Sequence, residues 1–246
     1  MNISTRIILV HTTLPANIGS AARAMKTMGL TDLVLVSPKF FPHADATSLA
    51  SGASDILANA RVVETLADAM ADCEVVLGAS ARNRTINMAQ IDAREAGLMA
   101  QQYGAKGAKL AFVFGREDRG LLNEELELCN LHCHIPTHES YPSLNLAMAV
   151  QIVCYELRML QAQGHLPSAE VDQWDAPFST ADNMERYYEH LEQTLVDIEF
   201  LDPAAPRQLM ARLRRLYSRV RLDEMELNIL RGVLTQTQKW VRKAKG

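Results

Sequence analysis

Five arginines lie in three loops that each follow a short apolar run. They are Arg23, Arg82, Arg84, Arg116 and Arg119. The first 206 residues contain only 14 Lys and Arg, so five of them in three loops form a marked concentration. A guanidinium group binds phosphate and carboxylate groups through paired hydrogen bonds. The clustering therefore predicts an anionic substrate.

The first loop leads into a helix and belongs to the stretch LVHTTLPANIGSAARAMKTMG, residues 9–29. Asn17 is expected to cap this helix, and Gly19 leaves its first turn open to the close approach of another chain segment. Arg23 lies four residues beyond Gly19 and hence on roughly the same helix face. The stretch lacks the G-x-G-x-x-G and Walker patterns of nucleotide sites. By itself it also fits a capped helix with a surface arginine.

Two further loops combine small residues with charge. One is GASARNR, residues 78–84, whose small residues allow a ligand to lie against the backbone. The other is FGREDRGLLNEEL, residues 114–126, with four successive charged residues between Gly115 and Gly120. Asn123 is expected to cap the helix that follows. Taken alone, the second loop also fits a solvated turn.

A fourth segment, IPTHESYPSLNLAMAVQIVCYEL at residues 135–157, has two prolines around a polar loop and then an apolar helix. Ser143 is expected to cap this helix. The helix face that includes Leu144 and Met148 is expected to pack on a neighbouring surface. Taken alone, the segment predicts either a buried helix or a dimer contact.

The elements between these loops must bring them together. Runs rich in Val, Ile and Leu predict five strands and a short sixth, at Arg6–His11, Asp32–Ser37, Cys73–Ser80, Lys109–Gly115, Leu131–Pro136 and Arg61–Val63. Helical patterns lie between them, at Ile18–Met28, Thr65–Ala71, Ile91–Tyr103 and Leu144–Gln161. This alternation predicts an α/β fold, a mostly parallel sheet with helices on both faces. Ligands of such sheets bind at the carboxyl ends of the strands, where the four segments are expected to meet.

The composition changes beyond residue 163. Residues 164–181 contain prolines and acidic residues without a sustained period, which predicts a linker between a domain at 1–163 and a small helical domain at 182–246. The net charge of the chain is −4, but residues 207–246 hold 11 basic and three acidic side chains, a charge of +8. A basic segment on an acidic chain predicts contact with a polyanion, nucleic acid first. A solvated helical face explains the same charges equally well.

Several classes of protein are excluded by the sequence. MNISTRIILV at residues 1–10 has no signal-peptide core, and no later run reaches the roughly 18 apolar residues of a membrane span, so a cytoplasmic protein without a membrane partner is expected. The four cysteines show no disulfide spacing. The stretch CNLHCHIP contains possible metal ligands, but strand alternation points Cys133 away from His132 and His134. No metal is expected.

Three of these segments resemble, in order and spacing, the motifs of the SpoU/TrmH group of SPOUT methyltransferases. The segments are NIGSAARAMKTMG at 17–29, FVFGREDRGL at 112–121 and IPTHESYPSLNLAMAVQIVCYE at 135–156. The resemblance, over residues 3 to 160, implies a homodimer that methylates the ribose 2′-hydroxyl of RNA. It also implies S-adenosylmethionine bound in a C-terminal trefoil knot of the sheet domain. The helical extension resembles the bacterial TrmJ subgroup, which implies tRNA rather than DNA as partner and the pyrimidine at position 32 of the anticodon loop as target.

The resemblance also implies roles for individual residues. Arg23 is implied to be the catalytic arginine, and the other catalytic residues are Asn17, Glu117, Ser143 and Asn145. The implied cofactor-binding residues are Ala79, Ser80, Ala81, Gly115, Ile135, Leu144, Asn145 and Leu146. The implied RNA-binding residues are Arg82, Arg84, Arg116, Arg119, Arg207, Arg214 and Arg215. The sequence has GASAR where relatives often have threonine before the serine, a change that leaves backbone contacts possible.

Arg23 is expected to act through its positive charge. A guanidinium is effectively always protonated, so we expect it to bind the phosphate of the nucleotide and to stabilise charge on the 2′-oxygen. Phosphate or water would then accept the proton. An RNA-binding protein that has lost catalysis is the alternative, and the joint presence of Arg23, Glu117, Ser143 and Asn145 disfavours it. The missing glycine pattern disfavours a nucleotide-dependent enzyme such as a dehydrogenase.

Overall fold

The computed structural model describes residues 4–80, 89–163 and 176–245. The chain divides into two compact units, Met1–Val171 and Asp172–Gly246. The division falls within residues 164–181, the predicted linker, of which 164–175 lie outside the described residues. In the described ranges, no helix combines the length and the apolar character needed to cross a membrane.

The described residues of the first unit form a sheet of seven strands in which all neighbours are parallel. The strands are β1 (Thr5–Val10), β2 (Asp32–Val36), β3 (Arg61–Val63), β4 (Val75–Ala79), β5 (Gln90–Asp92), β6 (Leu110–Phe114) and β7 (Leu131–His134). Their order is β3-β2-β1-β6-β4-β7-β5. The predicted parallel sheet is confirmed, including the short strand at Arg61–Val63. The sequence did not predict β5, and residues 91 and 92 of this strand were assigned to the helix predicted at Ile91–Tyr103.

Seven helices accompany the sheet among the described residues; six lie between strands, and the seventh follows β7. They are α1 (Pro15–Met28), α2 (Ala44–Ala50), α3 (Ser54–Ala58), α4 (Leu66–Met70), α5 (Ala93–Gly104), α6 (Asn123–Glu127) and α7 (Leu146–Gln163), with a 3₁₀ turn at Ser51–Ala53. Every residue of β1 and β6 is buried, as expected for central strands of a sheet that helices cover on both faces. The predicted α/β fold is confirmed.

Three predicted helix caps are wrong, and the corrected starts matter for the site. Helix α1 begins at Pro15, because a proline at the first helical position needs no hydrogen bond for its nitrogen. Asn17 therefore lies inside the first turn. Helix α6 begins at Asn123 itself, so this residue is not the cap. Helix α7 is capped by Asn145 rather than by Ser143, since the Asn145 side-chain oxygen accepts from the amide of Ala147 at 2.9 Å.

Residues 176–245 of the second unit form three helices, as predicted. They are α8 (Ala181–Asp197), α9 (Leu209–Val220) and α10 (Glu224–Lys245). Thr180 caps α8 by accepting a hydrogen bond from the amide of Asn183. The core of this unit is built from Tyr187, Tyr188, Leu191, Leu222 and Leu227.

Candidate active site

The carboxylate of Glu117 connects the loop after β6 to the start of α1. It accepts hydrogen bonds from the amides of Thr13 at 3.0 Å and Leu14 at 3.1 Å. It also accepts from the hydroxyl of Thr13 and the side-chain amide of Asn17, both at 2.9 Å. Because β1 and β6 are parallel neighbours, their carboxyl ends bring these groups together. A carboxylate in this position satisfies donors at the start of α1 and interacts favourably with the helix dipole.

These hydrogen bonds keep Glu117 ionised. Burial alone would raise the pKa of this partly buried carboxyl. The hydrogen bonds from Asn17 and from the amides of Thr13 and Leu14 outweigh that effect, so the pKa of Glu117 lies below its ordinary value. The site therefore holds a fixed negative charge at neutral pH.

A chain of side-chain amides extends from Glu117 to the last helix of the first unit. The amide nitrogen of Asn17 donates to Glu117, and the Asn17 oxygen accepts from the side-chain amide of Asn145 at 2.9 Å. The Asn145 oxygen in turn caps α7 through the amide of Ala147. This hydrogen-bonded chain, Glu117–Asn17–Asn145, joins the three sequence motifs, which are separated by about 100 residues in one pair and 128 in the other.

The loop after β6 is a tight turn that positions Glu117. The backbone groups of Arg116 and Gly120 bond to each other in both directions, at 2.8 and 3.2 Å. A side chain at Gly115 would bring a Cβ within 2.1 Å of Leu121 backbone nitrogen, so only glycine fits there. The guanidinium of Arg116 bonds to Glu125 through both terminal nitrogens, at 2.9 and 2.8 Å. Arg116 thus stabilises the turn, whereas the sequence predicted that this residue contacts RNA.

A cavity of about 280 Å³ lies beside this turn, at the carboxyl ends of β4, β6 and β7. Six of the residues predicted to bind a cofactor line it, namely Ala79, Ser80, Gly115, Ile135, Leu144 and Leu146. Glu117 and Ser143 line it as well. Ala81, also predicted, lies outside the described residues. The structure therefore brings the second, third and fourth loop segments of the sequence to one cavity.

Arg23 lies on α1, beyond this cavity. Its side chain is exposed, and in the described part of the chain no carboxylate forms an ion pair with it. It is not among the residues that line the cavity. One turn before it, α2 approaches α1 so closely that a Cβ at Gly19 would lie 2.1 Å from the carbonyl oxygen of Ala46. This confirms the close approach of another segment that the sequence predicted at Gly19.

The other arginines predicted to bind RNA lie in different surroundings. Arg82 and Arg84 fall outside the described residues. Arg119 is exposed and bonds to the adjacent Asp118 at 3.1 Å. In the second unit Arg207 is exposed, and Arg215 is half-buried.

Arg214 is held within the second unit. Its guanidinium bonds to Glu185 through both terminal nitrogens. The group also lies 4.4 Å from the centre of the Tyr188 ring. Burial lowers the pKa of Arg214, but the hydrogen bond with Glu185 and the nearby negative charge together outweigh burial, so the pKa lies above its ordinary value. Arg214 therefore stabilises the second unit, where the sequence predicted a contact with RNA.

The CNLHCHIP segment forms no metal cluster. Ring nitrogens of His132 and His134 lie 2.9 and 3.4 Å from the carbonyl oxygen of Ser80. Cys133 is fully buried, and burial raises the pKa of its thiol to about 12. Across residues 4–80, 89–163 and 176–245, no three His, Cys, Asp or Glu side chains are grouped to hold a metal ion.

Sequence reasoning missed the donors that surround Glu117. Thr13 and Leu14 supply three of its four hydrogen bonds, and Glu125 holds the turn that carries it. The proline at position 15 could have indicated these donors. Proline is common at the first position of a helix, and the backbone amides of the two residues before it then have no partner within the helix.

Comparison with known proteins gives matches over both units. The model of the SpoU rRNA Methylase family matches residues 4–155, and that of the tRNA methyltransferase TrmJ C-terminal domain matches residues 182–246. The tRNA (cytidine/uridine/adenosine-2′-O-)-methyltransferase TrmJ of Pseudomonas aeruginosa strain UCBPP-PA14 is 53% identical over 243 residues, 96% of this chain and 95% of that protein.

Two solved structures extend the comparison. The crystal structure of TrmJ from Zymomonas mobilis ZM4 has a TM-score of 0.80 and 32% identity, and the match covers 94% of this chain and 98% of that one. The SpoU methyltransferase AviRb from Streptomyces viridochromogenes, solved with the cofactor AdoMet, shares the fold at a TM-score of 0.52 and 19% identity, over 67% of this chain and 63% of that one. The family model spans well over half of the sequence, and its motifs meet in one hydrogen-bonded chain. The chain belongs to the SpoU methylase family.

Proposed function

We propose that this protein transfers a methyl group from S-adenosylmethionine to the 2′-hydroxyl of a ribose in tRNA. The observation that carries the proposal is the hydrogen-bonded chain Glu117–Asn17–Asn145 next to the cavity at the ends of β4, β6 and β7. This chain of hydrogen bonds holds the carboxylate of Glu117, the start of α1 and the start of α7 around the cavity. The similarity to the Pseudomonas enzyme through both units supports tRNA as the substrate.

The cavity fits S-adenosylmethionine in size and in chemistry. Its volume of about 280 Å³ is near the lower end of ligand pockets, roughly 300 Å³. The small side chains of Ala79, Ser80 and Gly115 leave backbone groups accessible to a purine, and Leu144 offers an apolar contact. The fixed negative charge of Glu117 favours a cationic ligand. When bound, the cofactor supplies an electrophilic methyl group on a sulfonium.

Arg23 binds the phosphate of the target nucleotide and stabilises the charge that develops on the 2′-oxygen. Its exposed guanidinium can form two parallel hydrogen bonds to a phosphate. The hydroxyl proton leaves to phosphate or water, because a guanidinium has no capacity to accept it. Ser143, at the cavity, positions the ribose.

We further propose that the protein is a homodimer formed through α7. The outer face of this helix carries apolar side chains at helical spacing, with Met148 62% and Tyr155 47% exposed and Ile152 half-buried between them. Helix α1 lies beside α7, as the bond between Asn17 and Asn145 requires. A dimer through α7 therefore brings Arg23 of one chain towards the cavity of the other.

Mixed dimers test this arrangement. Leu144→Trp fills the cavity, whereas Arg23→Ala removes the guanidinium. If Arg23 acts across the interface, a dimer with one variant on each chain has one complete site. Mixing the two inactive proteins then restores about a quarter of the activity, because half of the dimers are mixed and each of these has one active site out of two. If Arg23 acts within its own chain, the mixture stays inactive.

Three finer assignments complete the proposal. The strand order, with β7 between the earlier β4 and β5, supports a trefoil knot in the last part of the first unit. Exposed cations of α9 and α10 bind the tRNA body, including Arg212, Arg219, Arg242 and Lys243. The target is the pyrimidine at position 32, presented as an unpaired base of the anticodon loop in the cytoplasm.

A methyl-transfer assay tests the proposed function directly. Purified protein is incubated with tritiated S-adenosylmethionine and tRNA from a strain that lacks the gene, and the methylated nucleotide is mapped. We expect one 2′-O-methylated pyrimidine in the anticodon loop, and no product with the Arg23→Ala variant. Transfer to the base instead of the ribose, or no transfer with cofactor bound, would contradict the proposal.

A further inference from the structure

We propose that Phe40, with Lys39 beside it, is a stacking platform for a tRNA base that flanks the methylated nucleotide. The inference rests on the proposed function and deepens it. It assigns a role to the loop that follows β2, residues 37–43, which contributes no residue to the cavity or to the hydrogen-bonded chain.

The side chain of Phe40 is exposed beside the ammonium group of Lys39 and the ring of His43. Phe40 is 51% exposed. The ammonium of Lys39 lies 5.3 Å from the centre of its ring, and the ring of His43 lies 6.4 Å away, tilted by 50°. Proteins bind unpaired RNA bases by stacking them on aromatic rings and by holding the adjacent phosphates with cations. The loop offers both groups in two adjacent residues, Lys39 and Phe40.

The loop is fixed to the elements that carry the site. At one end, the backbone amide of Lys39 donates to the carbonyl oxygen of Thr12 at 3.0 Å. The next residue, Thr13, donates twice to Glu117. Phe40 is therefore anchored through its neighbour to the backbone that binds Glu117.

The other end of the loop is fixed to α1. His43 caps α2 by accepting a hydrogen bond from the amide of Asp45. Three residues later, the carbonyl of Ala46 packs directly on Gly19. Gly19 lies one turn before Arg23, so the loop and the catalytic arginine are held by the same helix.

The position of β2 in the sheet decides which nucleotide the platform binds. β2 pairs with β1, and β1 pairs with β6, next to the cavity. Because neighbouring strands are about 4.8 Å apart, the end of β2 is about 10 Å from the end of β6. The target ribose must reach the cavity, so the base on Phe40 belongs to an adjacent nucleotide. The positive charge of Lys39 beside Phe40 favours RNA over an apolar protein partner.

Steady-state kinetics with an anticodon stem-loop test the platform. Phe40→Ala is expected to raise KM for the RNA about tenfold, since stacking on an aromatic ring contributes about this much per base. Phe40→Leu should behave like Phe40→Ala, because leucine keeps the apolar contact but lacks a flat ring. Phe40→Trp should stay close to the wild type. Lys39→Gln should reduce the slope of log affinity against log salt by about 0.7, the loss of one phosphate contact.

Leu49→Ala is the matched control. Leu49 is a large apolar side chain on α2, 46% exposed, and lies outside the loop. We expect wild-type kinetics for this variant and an unchanged affinity of every variant for S-adenosylmethionine. An unchanged KM in Phe40→Ala, or equal KM values in Phe40→Leu and Phe40→Trp, would overturn the platform while methylation by the wild type stands. A wild type that does not methylate tRNA would instead overturn the proposed function.

Discussion

The two units of this protein hold their charged side chains in opposite ways. In the first unit Glu117 has four hydrogen bonds and Arg116 is bonded to Glu125 through both terminal nitrogens. In the second unit most basic side chains of α9 and α10 are exposed, and Arg214 is an exception with its bond to Glu185. In the first unit, hydrogen bonds fix the directions of these charged side chains. In the second unit, most of the cations on α9 and α10 are exposed to solvent.

This difference agrees with the role proposed for each unit. Methyl transfer needs reacting atoms aligned to within a fraction of an ångström, and alignment can supply roughly 7–11 kcal/mol of the barrier. Binding of the tRNA body needs only cations near phosphates, and its strength depends on their number and on salt. The comparison predicts large effects on catalysis from small changes in the first unit, and small, additive effects on affinity from changes in the second.

The largest effect is expected at Arg23. Arg23→Lys keeps the positive charge but loses the two parallel hydrogen bonds that a guanidinium forms with phosphate. We expect kcat to fall by about 10²–10³, the usual loss when a group that stabilises transition-state charge is removed. Single-turnover methyl transfer at saturating tRNA measures it.

The matched control for this variant is Lys26→Arg on the same helix, at the exposed pair with Asp55. Its activity should equal that of the wild type. A normal kcat in Arg23→Lys would show that position 23 needs charge alone, and the two parallel hydrogen bonds proposed for Arg23 would be wrong.

A smaller effect is expected at Glu117. Glu117→Gln keeps the shape of the side chain but removes the negative charge of the carboxylate that accepts four hydrogen bonds. We expect kcat/KM to fall by about 10–100-fold, because the loops that carry Asn17 and Asn145 lose their alignment. Stopped-flow or quench-flow assays with saturating cofactor measure the change. Thr13→Ser, which retains the hydroxyl and the amide, is the control and should have wild-type activity.

The same variant gives a pH prediction. The pKa of Glu117 in the folded protein lies below its ordinary value of 4.5, so the folded state binds this proton more weakly than the unfolded state. The stabilisation is present above pH 4.5 and is lost as the pH falls through the folded pKa. The difference in unfolding free energy between wild type and Glu117→Gln should therefore shrink in acid. A difference that stays constant down to the acid transition would contradict the hydrogen-bond assignment.

The sequence predicted the sheet better than the connections within the site. Continuous apolar runs marked β1 and β6 because strands buried on both faces show no alternation. The start of α1 was placed three residues too late, since its donors are capped by Glu117, which is 103 residues away from Leu14. A cap supplied by a distant residue leaves no local pattern. Arg116 likewise has a partner that the local pattern does not reveal. Its charge predicted RNA binding, whereas its partner Glu125 was considered only as part of a helix.

Arg116 and Arg119 allow a bonded and an exposed arginine to be compared within one turn of the first unit. Arg116→Gln leaves a partly buried Glu125 without its cation, and a lost hydrogen bond to a charged group costs about 1.5–3 kcal/mol. We expect the melting temperature of the first unit to fall by about 3–10 °C. Arg119→Gln, at an exposed side chain, should leave melting unchanged and should weaken tRNA binding. The reverse result would mean that the turn depends on its exposed arginine.

The smallest effects are expected in the second unit, where Arg207 and Arg214 form a matched pair. Arg207 is exposed, so Arg207→Gln should weaken tRNA affinity about threefold near physiological salt and reduce the salt slope by about 0.9, one duplex phosphate contact. Arg214 is bonded to Glu185 and stacked on Tyr188, so Arg214→Gln should lower the stability of the second unit by about 1–2 kcal/mol. Filter binding over a salt series and urea unfolding separate the two results. Equal salt slopes for both variants would show that charge alone governs the second unit, and that the ion pair of Arg214 opens when tRNA binds.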